Sequence, residues 1–425
     1  MSTPFDAIVV GAGPAGSATA LLLARAGHEV LLLDRRAFPR PKPCGDCLSP
    51  EASRVLDRLG LLVDVLAARP ARLRGWRIIS PCGHAFEATF ATAANGDPRV
   101  ETAISLRREL LDAVLLEGAR RAGADARTGI HVTDVIRDTA GCVSGVEARD
   151  HGGRTLRLHA RLVIGADGLR SVIARRLGLI RRGPKLRKLS LTAHVRGVAD
   201  LGGFGEMHLA AGACVGVAPV EEVDGDDVAP SALANVTLVV DAGRFGRDAA
   251  RDPHAFFARA LARFPALAAR LPPLEPRLRL LASGPFDWPT RTVVADGAAL
   301  VGDAAGYFDP FTGQGIHQAL ASAELLAEEA DRALRSGDVS ARALQRYAAR
   351  RRRALREARL LQHLIDHVVR RPRLADAAVR RLARAPAAAA ALIAATGDLL
   401  PPRRLLSPAV ALSFVFGSRR RPEAP

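Results

Sequence analysis

The chain has 425 residues, 48% of them hydrophobic, enough for a sizeable core and for more than one average domain. Its formal net charge is +17, yet Lys42, Lys185 and Lys188 are the only lysines among 61 basic residues. With no nucleic-acid motif and no aromatic-interleaved basic patch, this arginine excess argues against a nucleic-acid binder and for anionic cofactors, nucleotides or a membrane surface.

Ala7-Ile8-Val9-Val10 is a short apolar run, as expected of a buried parallel strand. It leads into Gly11-Ala12-Gly13-Pro14-Ala15-Gly16. Gly11 suits a tight turn, Gly13 lets backbone approach a pyrophosphate, and Gly16 lets helix pack on strand. Pro14 fits the first turn of a helix predicted over 15–26, whose positive N-terminus suits phosphate. A second apolar run from Glu29 to Leu33 ends in Asp34, which, with Arg35 beside it, is placed to accept from a ribose hydroxyl. Strand, turn, helix, strand and acid predict a dinucleotide site without separating NAD from FAD.

The loop from Pro41 to Pro50 carries Cys44-Gly45-Asp46-Cys47. A redox dithiol there needs a lowered thiol pKa. A metal site needs two further ligands, and Cys82, Cys142 and Cys214 form no second pair, so no metal is expected. Asp46 reads as a loop cap or a proton relay. Arg108 precedes Leu111, Asp112 and Leu115 at helical spacing. The inserts at 71–104 and 186–289 read as strand-rich, for example at 189–196, 205–209 and 235–240, with an exposed loop over 221–231.

Arg161-Leu162-Val163-Ile164 is strand-like and ends at Gly165-Ala166-Asp167-Gly168, with Ser171 and Arg175 following on a helix. Ala298-Ala299-Leu300-Val301 likewise runs into Gly302-Asp303-Ala304-Ala305-Gly306. Asp309 to Gly313-Gln314-Gly315-Ile316 then opens a long helix, whose N-terminal amides can stabilise negative charge. His317 and Tyr307 are candidates beside it; His28, His131, His194 and His363 carry no local signal. From about 335 the chain is helical and basic. The segment 405–416 is apolar between arginines, too short to span a bilayer but suited to an interface or to a cap over a cavity. Five cysteines and no signal peptide predict a cytoplasmic chain.

The three Gly/Asp segments, in this order, resemble the flavoprotein hydroxylase and geranylgeranyl reductase superfamily, which holds one FAD. The resemblance implies an α/β fold: a Rossmann-like FAD-binding domain made of 1–70, 105–185 and 290–335. It is interrupted by a mainly antiparallel α+β substrate domain, 71–104 and 186–289, and followed by a basic C-terminal helical region, 336–425. The implied cofactor contacts are Gly11, Gly13, Pro14, Ala15, Gly16, Asp34, Arg35, Cys44, Gly45, Arg108, Asp167, Gly168, Gly302, Asp303, Gly313, Gly315 and Ile316. In the family, the position of Asp167 touches the pyrophosphate region and that of Asp303 a ribityl hydroxyl. The segment around Cys44-Gly45 resembles the Cys-Gly loop of geranylgeranyl reductases, which puts Cys44 over the isoalloxazine; Cys44, Cys47 and His317 are the catalytic candidates.

With a single phosphate-binding GxGxxG, the NAD(P)H donor is expected to bind transiently. The Cys-Gly loop favours a reductase that transfers hydride to an alkene of a hydrophobic isoprenoid, lipid-like or specialised metabolite. The alternative is a monooxygenase acting on an aromatic or activated carbon. The strand 213–219 lacks the aromatics of many family reductases, which weakens a polyprenyl substrate. Flavin halogenases rank lower: their Trp-x-Trp-x-Ile-Pro motif is missing, and Gly75-Trp76-Arg77-Ile78-Ile79-Ser80 is the nearest match. Intact Asp34, Asp167 and Asp303 argue against a non-catalytic membrane-surface protein. A peripheral membrane contact through the basic C-terminal region is expected, and no nucleic acid.

Overall fold

The computed structural model describes residues 5–185, 187–221, 232–408 and 410. Near-continuous apolar runs such as Ala7-Ile8-Val9 and Leu31-Leu32-Leu33 bury both faces of their strands, so they pair in parallel with helices on either side. The order is Ala298–Leu300, Thr155–Gly165, Phe5–Val10, Val30–Asp34, Asp125–Thr128. Val10 pairs with both Leu33 and Gly165, and Gly165 with Leu300. The strand order reverses beside Phe5–Val10, and the carboxyl ends of four strands converge there on one crevice. That is where open α/β sheets bind ligands. The helix Pro14–Arg25 packs between Arg108–Arg121 and the long helix Gly315–Ser336.

A second, seven-stranded sheet is antiparallel except where Phe204–Ala210 runs parallel to Gly75–Ile79. Its two faces follow the period-two alternation of its strands. Val215, Val217, Val236, Leu238 and Val240 pack against Phe256, Phe257 and Phe264. Cys214, Ala218 and Val239 lie on the other side, in a core with Phe86, Phe90 and the helices Pro372–Ala383 and Pro386–Thr396.

Two details depart from the strand-rich expectation for the inserts. Ala242–Arg251, Pro253–Leu261 and Pro265–Ala268 are helices. Their starts are chemically marked: the side chains of Asp241 and Asp252 accept from Arg244 N and Ala255 N, each at 3.0 Å, and Pro253 fills the first turn. Ala71–Leu73 and Ala103–Ser105 also leave the large sheet; they form a small one with Cys47–Leu48.

The basic C-terminal stretch packs back onto both sheets. In the helix Gln345–Val369, Tyr347 Oη donates to Leu300 O at 2.7 Å, at the end of a strand of the parallel sheet. Near its other end, Asp366 Oδ1 lies 2.7 Å from Nζ of Lys188, on the antiparallel sheet; Lys188 also pairs with Asp309. Among the described residues no helix is long and apolar enough to cross a membrane. The exposed loop expected at 221–231 and the apolar segment at 405–416 fall largely outside the described residues.

Candidate active site

A cavity of about 1130 Å³ opens at the crevice. Gly11 sits at φ +104°, and a Cβ there would lie 2.5 Å from Ala166 O, so turn and close approach both demand glycine. A Cβ on Gly16 would lie 1.8 Å from Gly11 O, which ties helix to strand; Gly16 does not line the cavity. Every other residue expected to contact cofactor lines it: Gly11, Gly13, Pro14, Ala15, Asp34, Arg35, Cys44, Gly45, Arg108, Asp167, Gly168, Gly302, Asp303, Gly313, Gly315 and Ile316.

The polar wall is a linked set of charges. Asp34 Oδ2 accepts from Ala12 N at 2.9 Å and from Arg40 Nη2 at 3.2 Å. Arg40 reaches on to Asp112, whose carboxylate also takes two bonds from Arg108 at 2.8 and 2.9 Å. Arg108 and Asp112 are 5% and 0% exposed. Such a pair is costly to break, because either charge alone is stranded. Lys42 was not singled out in the sequence. Burial, then the nearby Arg108, lowers its ammonium pKa, while Asp303 and Asp112 oppose the shift. Asp167 Oδ2 accepts from Val172 N at 2.6 Å, but its buried Oδ1 has no partner, and burial raises its carboxyl pKa.

The cysteine loop is held from below by the antiparallel sheet. Asp46 is 1% exposed at φ +57°. Its carboxylate lies 2.6 Å from His194 Nε2 and accepts from Asn235 Nδ2 at 2.7 Å and Arg108 N at 3.1 Å. Asn235 Nδ2 also donates to Cys44 O at 2.8 Å. Sequence reasoning missed His194 and Asn235; their strand alternation was the available signal, but their partner lies far away in the chain.

Cys44 and Cys47 are free thiols that line the cavity. Burial raises the Cys44 pKa, and burial pushes that of Cys47 up to about 12. At about pH 8 that leaves about one Cys47 thiol in ten thousand ionised, the reverse of what a dithiol needs. We expect iodoacetamide to modify exposed Cys82 well before Cys47 in the native protein, read by peptide mass spectrometry. Rapid labelling of Cys47 removes this assignment.

Asp303, Tyr307 and the Gly313–Ile316 turn form the opposite wall, where the helix Gly315–Ser336 begins. His317 is placed differently from expectation. It does not line the cavity; its Nδ1 sits 2.8 Å from Asp398 Oδ2, off the hydrogen-bonding line of the ring. Asp398 also accepts from Gln314 and Ser49. The first turn of a helix rotates successive side chains by about 100°, so the neighbour of cavity-lining Ile316 faces away. His317 thus clamps the C-terminal helices.

Burial opposes the His317 imidazolium, but Asp398 raises its pKa above the usual value. A raised folded pKa gives stabilisation that is full below the unfolded pKa of about 6.5 and is lost as pH rises through the folded value. His317→Gln is therefore expected to cost about 1 kcal/mol more at about pH 5.5 than at about pH 8.5 in thermal unfolding. An equal loss at both pH values overturns the pairing.

These residues fit FAD. The crevice supplies the glycine turn and helix N-terminus for a pyrophosphate, an open Cβ position at Gly13, and the unpartnered Asp167 Oδ1 for a hydroxyl or amide donor. A family model described as "FAD binding domain" matches residues 4–360. The chain is 31% identical over 364 residues to digeranylgeranylglycerophospholipid reductase 1 of Methanococcoides burtonii, covering 82% of this chain and 80% of that protein. It is 32% identical over 346 residues to menaquinone reductase of Mycolicibacterium smegmatis, covering 77% and 76%. Among solved structures it resembles a myxobacterial FAD-dependent chondrochloren halogenase, with TM-score 0.72, 27% identity and coverage of 82% and 79%.

Proposed function

Because the chain belongs to the FAD-binding-domain family of flavin-dependent oxidoreductases, we propose that it reduces carbon–carbon double bonds of a hydrophobic, isoprenoid-like substrate. One observation carries the reading. The cysteine loop faces a slot of small and apolar side chains, Met207, Cys214, Gly216, Ala218, Val239 and Phe311, in the same cavity as the Gly/Asp segments. The strand Ala213–Pro219 lacks the aromatics of many family reductases, which counts against a close copy of their polyprenyl site; its small residues leave open apolar volume that a branched hydrophobic chain can fill. Reductase relatives at 31% and 32% identity, one named for a polyprenyl phospholipid and one for menaquinone, support a long apolar substrate.

Bound FAD supplies hydride transfer. Gly11, Gly13, Pro14 and Asp34 would hold its adenosine diphosphate half, and Asp303 with Gly313–Ile316 its flavin half. The residues of the chain do the rest. The N-terminus of the helix Gly315–Ser336 favours negative charge at the wall it faces. Asp46 and Asn235 fix the loop that presents Cys44 and Gly45. The apolar slot excludes water from the substrate. The un-ionised Cys44 thiol is a proton source facing the cavity. NAD(P)H is the proposed electron donor, and the substrate alkene takes up the hydride and a proton.

The likeness to a halogenase favours a second reading, oxygen-dependent hydroxylation or halogenation. Anaerobic mixing of photoreduced, FAD-loaded protein with polyprenyl alkenes, menaquinone and arenes separates them. Flavin reoxidation with a saturated product is expected without oxygen. A strict oxygen requirement with hydroxylated or halogenated product overturns the reductase.

A further inference from the structure

Behind the Asp309 loop lies a second cavity of about 460 Å³, which shares Tyr307 and Gly315 with the first as walls. Its lining is strongly cationic. Arg181, Arg351, Arg352 and Arg359 face it, and among the described residues none of the four has a carboxylate within 4 Å. The two carboxylates in the wall are already taken: Asp287 by Arg182, at 2.9 and 3.2 Å, and Asp309 by Lys188.

Arg351 is the telling residue. It is 5% exposed, its Nε is buried without a partner, and its Nη2 makes one long bond to Gly302 O at 3.4 Å. Gln318, on the neighbouring helix, also leaves a buried Nε2 unpartnered in the same wall. Burial and the charge of Arg351 pull the Arg359 pKa down to about 10. Arg351 is buried and Arg359 half-buried, and the acid nearest in effect to Arg351, Asp303, stands beyond salt-bridge distance, so the two guanidinium groups lack a close counter-charge. Guanidinium forks and a side-chain amide are the donors that match the several oxygens of a phosphate or pyrophosphate.

We propose that this cavity binds the phosphate or pyrophosphate group of a small ligand, with Arg351, Arg359 and Gln318 as its donors and Arg181 and Arg352 at its mouth. Two sources share that chemistry, a nicotinamide dinucleotide donor and a phosphorylated substrate. The wall shared at Tyr307 and Gly315 puts either one next to the proposed flavin site. Anion binding stands independently of alkene reduction; only the choice of source depends on that reading.

The test is calorimetric titration of the FAD-loaded protein with inorganic pyrophosphate, which cannot then enter the dinucleotide crevice. Binding is expected, weakened at least about tenfold by Arg359→Gln and by Arg181→Gln, the latter an exposed position that spares the fold. NADPH, NADH and a prenyl diphosphate are then titrated in competition. Displacement by NADPH assigns the donor as the source, and displacement by the prenyl diphosphate assigns the substrate. No binding of pyrophosphate, or binding unchanged in both variants, overturns the proposal, whatever the outcome of the anaerobic assay.

Discussion

Gly13→Val is expected to yield a folded, colourless protein. Gly13 caps the helix Pro14–Arg25 at φ −80° and ψ −174°, a conformation any L-residue adopts. A Cβ there would meet only Arg40 Nη2, at 3.9 Å. The branched side chain therefore projects into the cavity and not into the protein, onto the position a pyrophosphate needs. FAD affinity should drop roughly 100-fold, since about 3 kcal/mol of overpacking falls on the cofactor alone. Loss of the glycine cap costs the fold itself about 1 kcal/mol or less. Visible flavin absorbance per protein, with circular dichroism and apo melting, reads both. A yellow variant at full stoichiometry contradicts the assignment. Gly16→Val serves as the contrast: its Cβ strikes backbone, so it should fail to fold.

The second large effect is expected at Asp46. Asp46→Ala removes the acceptor of three donors, puts alanine at a left-handed φ, and leaves Asn235 Nδ2 with Cys44 O as its one acceptor. Asp46 does not line the cavity, so it is a positioning residue. Loop displacement of about 1 Å should lower kcat about 100-fold with FAD content unchanged. Asp46→Asn, which tolerates positive φ and keeps the shape, should recover part of that loss. Wild-type kcat in Asp46→Ala, or equal loss in both variants, sinks the positioning role.

The sequence was readable where chemistry and local backbone need coincide. Gly11, Asp34, Asp167 and Asp303 lie at strand ends, and a strand followed by a glycine turn is a short-range pattern. The parallel sheet followed from them, as did the antiparallel sheet from period-two runs such as Leu189 to Arg196. Long-range pairing was not legible. Nothing near His194 marks Asp46 as its partner, and nothing near Lys188 marks Asp309 and Asp366. The turn at Gln314 that takes His317 out of the cavity is set by helix phase, and the buried Arg351 reads in sequence as one more member of a basic run. The helices between Ala242 and Ala268 were announced by Asp241 and by Asp252-Pro253, but strand-like neighbours outweighed those caps.

The helix Gln345–Val369 has a consequence for biosynthesis. It fastens Tyr347 to the last parallel strand and Asp366 to the antiparallel sheet, so it is one brace, beside the cysteine loop, that fixes one against the other. During translation the glycine turn at Gly11 emerges early, whereas the Asp303 wall and this brace emerge late. A nascent chain thus exposes a half-built nucleotide crevice on the ribosome until its final third is made, and cofactor capture becomes a late step of maturation.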